Sequence, residues 1–493
     1  MSATAIAQGR AGTDVQPGLH RTVVVAALGV GIYLAALDIS IVNAILPVVA
    51  DAFATDLTAI QWVVTSYLLV QSALLLAVGR LADLWGHKRI YLLGLTVFIV
   101  SSVICGLASS TPFLVAGRAI QALGASLIFA SLTVILTHAF PSDQRGRAVG
   151  LQATIVYVGL ATGAPLGGWL TDLFGWQSVF LVNVPIGLVA LLLGWRTAPS
   201  DIASQRREPF DLAGSVVYVL GLGLLLLGLN QGHDWGWASA PIVGLLLLGT
   251  ALLAGWVAIE LRIKSPMIDL RLFGQRAFAA PVVSAFLCYT GISATFLLPF
   301  ALIQGRGLSP AQTGLILTCQ TIVMAATASI SGSLSDRIGA RTPATVGMVL
   351  LSIGLLVLSR VDATLPLGLI VGAQTVMGLG IGLFTSPMSS AILGAVPAER
   401  RGVANGVLGT ARTLGMVLGV GIAGAVYATT LGLNGDPGPD GVLRATGVGL
   451  LVGSGVALLG TVTAAFISGA ASVDPTVEDQ ATRRTVRSVQ GRG

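Results

Sequence analysis

The chain has 493 residues, of which 54% are hydrophobic and only 10% charged, with a mean hydropathy of +0.87. A soluble domain carries about 25% charged residues, so a soluble globule and a disordered chain are both excluded, and 63 Gly without a triplet period exclude collagen. The formal charge of +6 reads as loop topology in a polytopic membrane protein, with no nucleic acid as partner.

Fourteen apolar runs follow one another, each near the ~20 residues that cross a bilayer. After a polar tail, 1–21, six runs make an amino-terminal bundle, 22–196. They cover roughly 22–50, 59–79, 90–109, 112–137, 147–171 and 177–195. A linker, 197–277, carries two more at 211–230 and 238–259. A carboxy-terminal bundle, 278–469, holds 278–302, 310–332, 342–359, 364–393, 402–428 and 444–469, and a polar tail, 470–493, follows. The runs are continuously apolar and not alternating, which predicts helices and excludes a β-barrel.

Charge fixes the expected orientation. With the N-terminus inside, 22 of the 27 Lys and Arg fall in inner loops or tails and three in outer loops. That is the positive-inside bias, and it puts both termini in the cytoplasm. The first run is too long for a signal-peptide core and is expected to stay in the mature chain. Cys105, Cys288 and Cys319 fall inside spans, as core thiols and not as disulfides. The bias of 25 Arg over two Lys points to a GC-rich bacterial genome, hence to a bacterial inner membrane.

Two segments recur. Gly79-Arg80-Leu81-Ala82-Asp83-Leu84-Trp85-Gly86 aligns with Gly332-Ser333-Leu334-Ser335-Asp336-Arg337-Ile338-Gly339 at an offset of 253. Pro141-Ser142-Asp143-Gln144-Arg145-Gly146 aligns with Pro397-Ala398-Glu399-Arg400-Arg401-Gly402 at an offset of 256. Two matches at nearly one offset predict an all-α fold of two six-helix bundles in parallel pseudo-twofold repeat, with two extra central helices. Parallel repeats of this kind mark secondary transporters whose halves rock about a central site.

Several motifs carry a resemblance. Leu37-Asp38-Ile39-Ser40-Ile41-Val42-Asn43-Ala44-Ile45-Leu46-Pro47 lies in the first helix and Gly79 to Arg89 in the loop after the second. Arg118-Ala119-Ile120-Gln121-Ala122-Leu123-Gly124 lies in the fourth. Gly159-Leu160-Ala161-Thr162-Gly163-Ala164-Pro165-Leu166-Gly167-Gly168 lies in the fifth, and Asn183-Val184-Pro185-Ile186-Gly187, after Trp176, in the sixth. Over essentially its whole length the chain resembles the major facilitator superfamily, in particular its fourteen-helix drug:proton antiporter group. Ala122 stands where that group usually has Gly, and Pro165 falls one residue later than usual. The resemblance implies multidrug efflux across the cell membrane and assigns the fourth-helix arginine to proton transfer.

The residues support a chemistry of their own. Asp38 is the carboxylate deepest in any span, where burial penalises its ionised form, as a proton carrier requires. Arg118 cannot be neutralised and needs a partner or water. At 1.5 Å per residue the two differ in depth by about 7 Å, within reach of a guanidinium stem. Asp38 and Arg118 are therefore expected to share one water-accessible cavity and to couple protons to transport. The repeat maps Arg118 onto Gln374 and Asp38 near Thr290, so the second half has lost both charges. Asn43, Gln121, Tyr157, Gln374 and Arg412 are candidate cavity residues. Trp62, Tyr67, Phe296 and Phe384 are further aromatics of that kind. Gly79, Asp83, Gly86, Arg89 and Arg401 on one side, and Asp336 with Arg145 on the other, are expected to latch the inner end. Gly159, Gly163 and Gly167 share one helix face, with Pro165 and Gly168 beside it, and allow close backbone approach.

No Walker, Rossmann, HExxH or CxxC motif is present in a usable place, so no cofactor, metal or catalytic residue is expected and the chain reads as no enzyme. The expected cargo is a lipophilic small molecule, neutral or monocationic, moved against protons by a monomer in the lipid bilayer. One alternative is a dedicated exporter of one metabolite or self-made antibiotic. Another is a membrane glycosyltransferase using Asp51 and Asp56, disfavoured by the short outer loops. A channel lacks its charged ring.

Overall fold

The computed structural model describes residues 17–139, 145–198, 212–262, 270–396, 401–434 and 438–467. The long helices of the first half are α1 (Pro17–Ala52), α2 (Trp62–Trp85), α3 (His87–Gly106), α4 (Thr111–Ala139), α5 (Arg145–Phe174) and α6 (Asn183–Thr197). A hairpin of α7 (Leu212–Trp235) and α8 (Ala240–Glu260) follows. The second half holds α9 (Arg276–Ser293), α10 (Pro310–Ile338), α11 (Arg341–Leu358), α12 (Leu367–Gly394), α13 (Arg401–Asn434) and α14 (Pro439–Ala465). Among the described residues 13 helices are long and apolar enough to cross a membrane, and α7 contributes the shorter apolar stretch Val216–Leu229. The α9 span runs on to Gly305 through 3-10 and π turns around Pro299, which lacks the N–H a regular helix needs there.

The internal repeat is visible in the packing. Gly86 and Gly339 end α2 and α10 with φ of 95° and 80°, and each donates its N–H back to the residue four before it, Ala82 and Ser335. Only glycine takes such a backbone freely, which is why both repeat turns keep one. At the α3–α4 crossing a Cβ on Gly124 would lie 2.9 Å from the Gly94 carbonyl. At the α11–α12 crossing one on Gly380 would lie 2.6 Å from the Gly347 carbonyl. Gly163 of α5 sits on Leu37 and Ser40 of α1, and Gly419 of α13 sits on Thr290 and Ser293 of α9. Each pair obeys the sequence offset, so the two halves share one set of glycine-mediated seams.

These seams predict a mutational cost. A Cβ at Gly163 would meet the Leu37 carbonyl oxygen at 2.7 Å, and backbone cannot move aside as a side chain can. Gly163→Val is therefore expected to destabilise the protein by about 1–3 kcal/mol, read as a lowered thermal midpoint in detergent. An unchanged midpoint would show that α1 and α5 separate freely.

The halves meet most closely at one end. There Gly168 of α5 abuts the Pro310 carbonyl of α10, and Gly314 of α10 abuts the Ala164 carbonyl. Asp172 at the end of α5 accepts the Ala311 N–H at 3.2 Å, at the positive N-terminus of α10. Asp51 accepts the Gln304 amide at 2.8 Å at the same end. On the opposite flank α7 packs on both α2 and α13, and Trp62 donates its indole N–H to Gln231 of α7 at 3.1 Å. The hairpin thus lies over the seam between the halves.

Candidate functional site

Five helices of the first half converge on Asp38. Burial of α1 against α5 and α6 leaves the Asp38 side chain with no solvent exposure, and Arg118 of α4 retains 1%. The Arg118 guanidinium donates to Asp38 Oδ2 at 2.5 Å through one terminal nitrogen. That nitrogen also donates to Gln121 Oε1 at 2.6 Å, and Arg118 Nε donates to the Val63 carbonyl of α2 at 3.1 Å. The guanidinium carbon lies 4.3 Å from the centre of the Tyr67 ring, also on α2. Asp38 Oδ1 accepts from Gln121 Nε2 at 3.0 Å and from Asn183 Nδ2, at the start of α6, at 2.8 Å. Gln121 donates further to Ser102 of α3 at 2.8 Å.

The arrangement has a simple electrostatic logic. A charged pair taken out of water is stable only when its remaining hydrogen-bonding capacity is also met. Asp38 has a donor on each oxygen and two on one of them, and Arg118 has a carboxylate, an amide, a carbonyl and an aromatic face. Arg118 and Gln121 stand three residues apart on one face of α4, so a single helix supplies both a charge and an amide to the carboxylate. Whatever pulls α4 or α6 away from α1 strips these donors from Asp38.

Among the site residues named from sequence, Asp38 and Arg118 are in direct contact, closer than their difference in depth required. They are buried in this conformation and not open to water. Gln121 belongs to the carboxylate cluster and is fully buried. Asn183 is a partner that reasoning on charges alone overlooked; an amide inside a span was the available signal. Glu260, the last residue of α8, is a further carboxylate with only 3% exposure. Asn43 and Tyr157 are half-buried, whereas Phe296 and Phe384 are core residues. Gln374, at the repeat position of Arg118, is fully buried, and its amide has no hydrogen-bond partner among the described residues. Arg412 of α13 lies over the Tyr289 ring of α9, 5.1 Å from its centre. Gly159, Gly163 and Gly167 pack on α1, while Ala164, Pro165 and Gly168 face α10 of the other half. Of the inner-end residues, Gly79 and Gly86 are described and Arg89 is exposed. The side chains of Asp83, Asp336, Arg145 and Arg401 lie outside the described residues.

Among the described residues, 13 helices long and apolar enough to span a bilayer, with a buried ion cluster in the first of two repeated halves, mark a membrane protein, and comparison with known proteins gives its family. The chain matches the Major Facilitator Superfamily over residues 28–268 and 281–488. It belongs to the major facilitator superfamily. It is therefore a multi-pass transporter of a bacterial inner membrane and not an enzyme. The chain is 33% identical to the riboflavin transporter RibZ of Clostridioides difficile, over 84% of this chain and 90% of that one. It is 33% identical to the multidrug resistance protein Stp of Mycobacterium tuberculosis, over 83% and 76% of the two chains. With the tetracenomycin C resistance and export protein of Streptomyces glaucescens it shares 30% identity over 84% and 77%. In fold it is similar to a bacterial homologue of the lysosomal transporter Spinster in an inward-facing conformation. That likeness has a TM-score of 0.65 at 16% identity and covers 92% and 97% of the two chains.

Proposed function

We propose that this superfamily member is a proton-coupled exporter of amphipathic small molecules, with Asp38 as the proton carrier. The observation that carries the proposal is the buried cluster in which Asp38 accepts hydrogen bonds from Arg118, Gln121 and Asn183. A carboxylate so placed depends on its donors for every hydrogen bond it accepts. A shift of α4 or α6 within the first half, with α1 still packed on α5, would exchange those donors for a proton. The drug-resistance and antibiotic-export relatives support the outward direction.

The charge bias supports fourteen spans with both termini in the cytoplasm. On that orientation the end closed at Asp51 and Asp172 faces outward, and cargo would load from the cytoplasm. Asp83 and Asp336, with Arg145, Arg401 and Arg89 around the Gly79–Gly86 turn, would latch the inner end in the opposite state. A second reading, transport of one metabolite, is favoured by the identity to a riboflavin transporter.

The test is transport by the purified full chain in proteoliposomes with an imposed pH gradient. Cargo is expected to move only while the gradient lasts and to stop when a protonophore is added. Movement indifferent to the gradient would overturn the proton-coupled reading.

A further inference from the structure

Arg412 carries a charge that the first-half cluster does not use. It is the twelfth residue of α13, so it lies about 17 Å along the helix from Arg401. A guanidinium stays charged under all conditions and is costly inside a membrane without a counter-charge. Arg118 has its counter-charge in Asp38. Arg412, half-exposed, has no carboxylate at ion-pair distance among the described residues; its close neighbour is the face of Tyr289. Tyr157, half-buried on α5 of the other half, lies within electrostatic range of both. The repeat offset of 256 pairs Tyr157 with Thr413, the neighbour of Arg412. The same repeat, at its offset of 253, pairs Asp38 with Gly291, two residues from Tyr289. All three side chains therefore come from one level of the bundle and from both halves.

From this geometry we infer that Arg412, positioned by Tyr289, anchors the cargo together with Tyr157, and that the cargo is a flat organic anion, such as an aromatic carboxylate. A guanidinium binds a carboxylate through two parallel hydrogen bonds, and the half-buried Tyr157 ring offers a face for a conjugated body, while Tyr289, buried beneath the guanidinium, holds Arg412 in place. Sequence reasoning expected neutral or monocationic cargo because Asp38 was the visible negative charge. In the folded chain both Asp38 oxygens are occupied and buried, so they offer nothing to a cation, while the free field is that of Arg412. The inference deepens the exporter reading and rests on it for the identity of the site as cargo-binding. It also carries a consequence: exchange of one anion outward for one proton inward moves two charges, whereas exchange of a monocation moves none.

The test is binding without any gradient, so its failure is distinguishable from failure of proton coupling. Full-length protein in nanodiscs of zwitterionic lipid is titrated with 2-naphthoate, 2-naphthamide and 2-naphthylmethylammonium by calorimetry. The naphthoate is expected to bind tightest. Arg412→Gln should weaken it about tenfold or more, as loss of a charge-assisted contact implies, while naphthamide binding changes less than about twofold and Arg412→Lys keeps part of the preference. Tightest binding of the ammonium, equal losses for naphthoate and naphthamide, or no binding of any probe would overturn the inference.

Discussion

Asp38→Asn is expected to abolish gradient-driven transport and, separately, to lower the stability of the protein. The two effects have different causes. Transport fails because a carboxamide in place of the Asp38 carboxylate takes up no proton. Stability falls because the substitution leaves Arg118, 1% exposed, without its counter-charge. Removing one partner of a buried pair costs about 3–5 kcal/mol. The new amide adds to this, since its NH2 group would face a donor in either orientation, Arg118 on one side or Gln121 and Asn183 on the other. Arg118→Gln alone should be comparably destabilising, because Asp38 then lacks its cation. Combined, Asp38→Asn and Arg118→Gln remove both charges, and the double variant should recover most of the lost stability while staying inactive. Thermal unfolding in detergent reads the first quantity and vesicle transport the second. Additive destabilisation in the double variant would mean that the two residues do not act as a pair.

Gly168→Val is the second large effect, and it acts on conformation. A Cβ at Gly168 would collide with the Pro310 carbonyl where α5 meets α10. That contact exists only while this end is closed. A clash of about 1–3 kcal/mol confined to one state shifts the balance of states by roughly 5- to 150-fold. Spin labels at Ser110 and Ala363, exposed loop positions in opposite halves at that end, should then report a longer distance than in wild type. Transport should fall although Asp38 is untouched. An unchanged distance would show that the α5–α10 contact does not hold this end shut. The equivalent change at Gly163 should behave differently, since that residue packs within one half and its contact does not depend on the state.

Much of this was legible in the chain because lipid leaves few solutions. Apolar runs had to be helices, and scarce charges had to mean something. Asp38 and Arg118 stood out for that reason, as did the repeat, whose offset of 253 to 256 reappears at the Gly86–Gly339 turns and at the Gly124–Gly380 crossings. What was not legible depends on helix rotation. Gln121 and Tyr157 looked alike as polar groups in spans, yet Gln121 points into the Asp38 cluster and Tyr157 towards the other half. Asn183 sits at a helix start, and its reach to Asp38 over 145 positions of sequence follows only from how α6 packs on α1. The glycine motif of α5 read as one face but serves two neighbours, because Gly167 and Gly168, adjacent in sequence, point about a hundred degrees apart on a helix. The hairpin of α7 and α8 had no sequence-level role at all; its place over the α2–α13 seam is set by tertiary packing.

The most direct measurement of the central claim is proton entry into proteoliposomes, followed with a pH dye trapped in the lumen while cargo is exchanged. The wild-type chain should acidify the lumen in step with cargo movement, and the Asp38→Asn/Arg118→Gln protein, folded but without the carboxylate, should not. Undiminished proton entry in that double variant would contradict the assignment of Asp38 as the proton carrier.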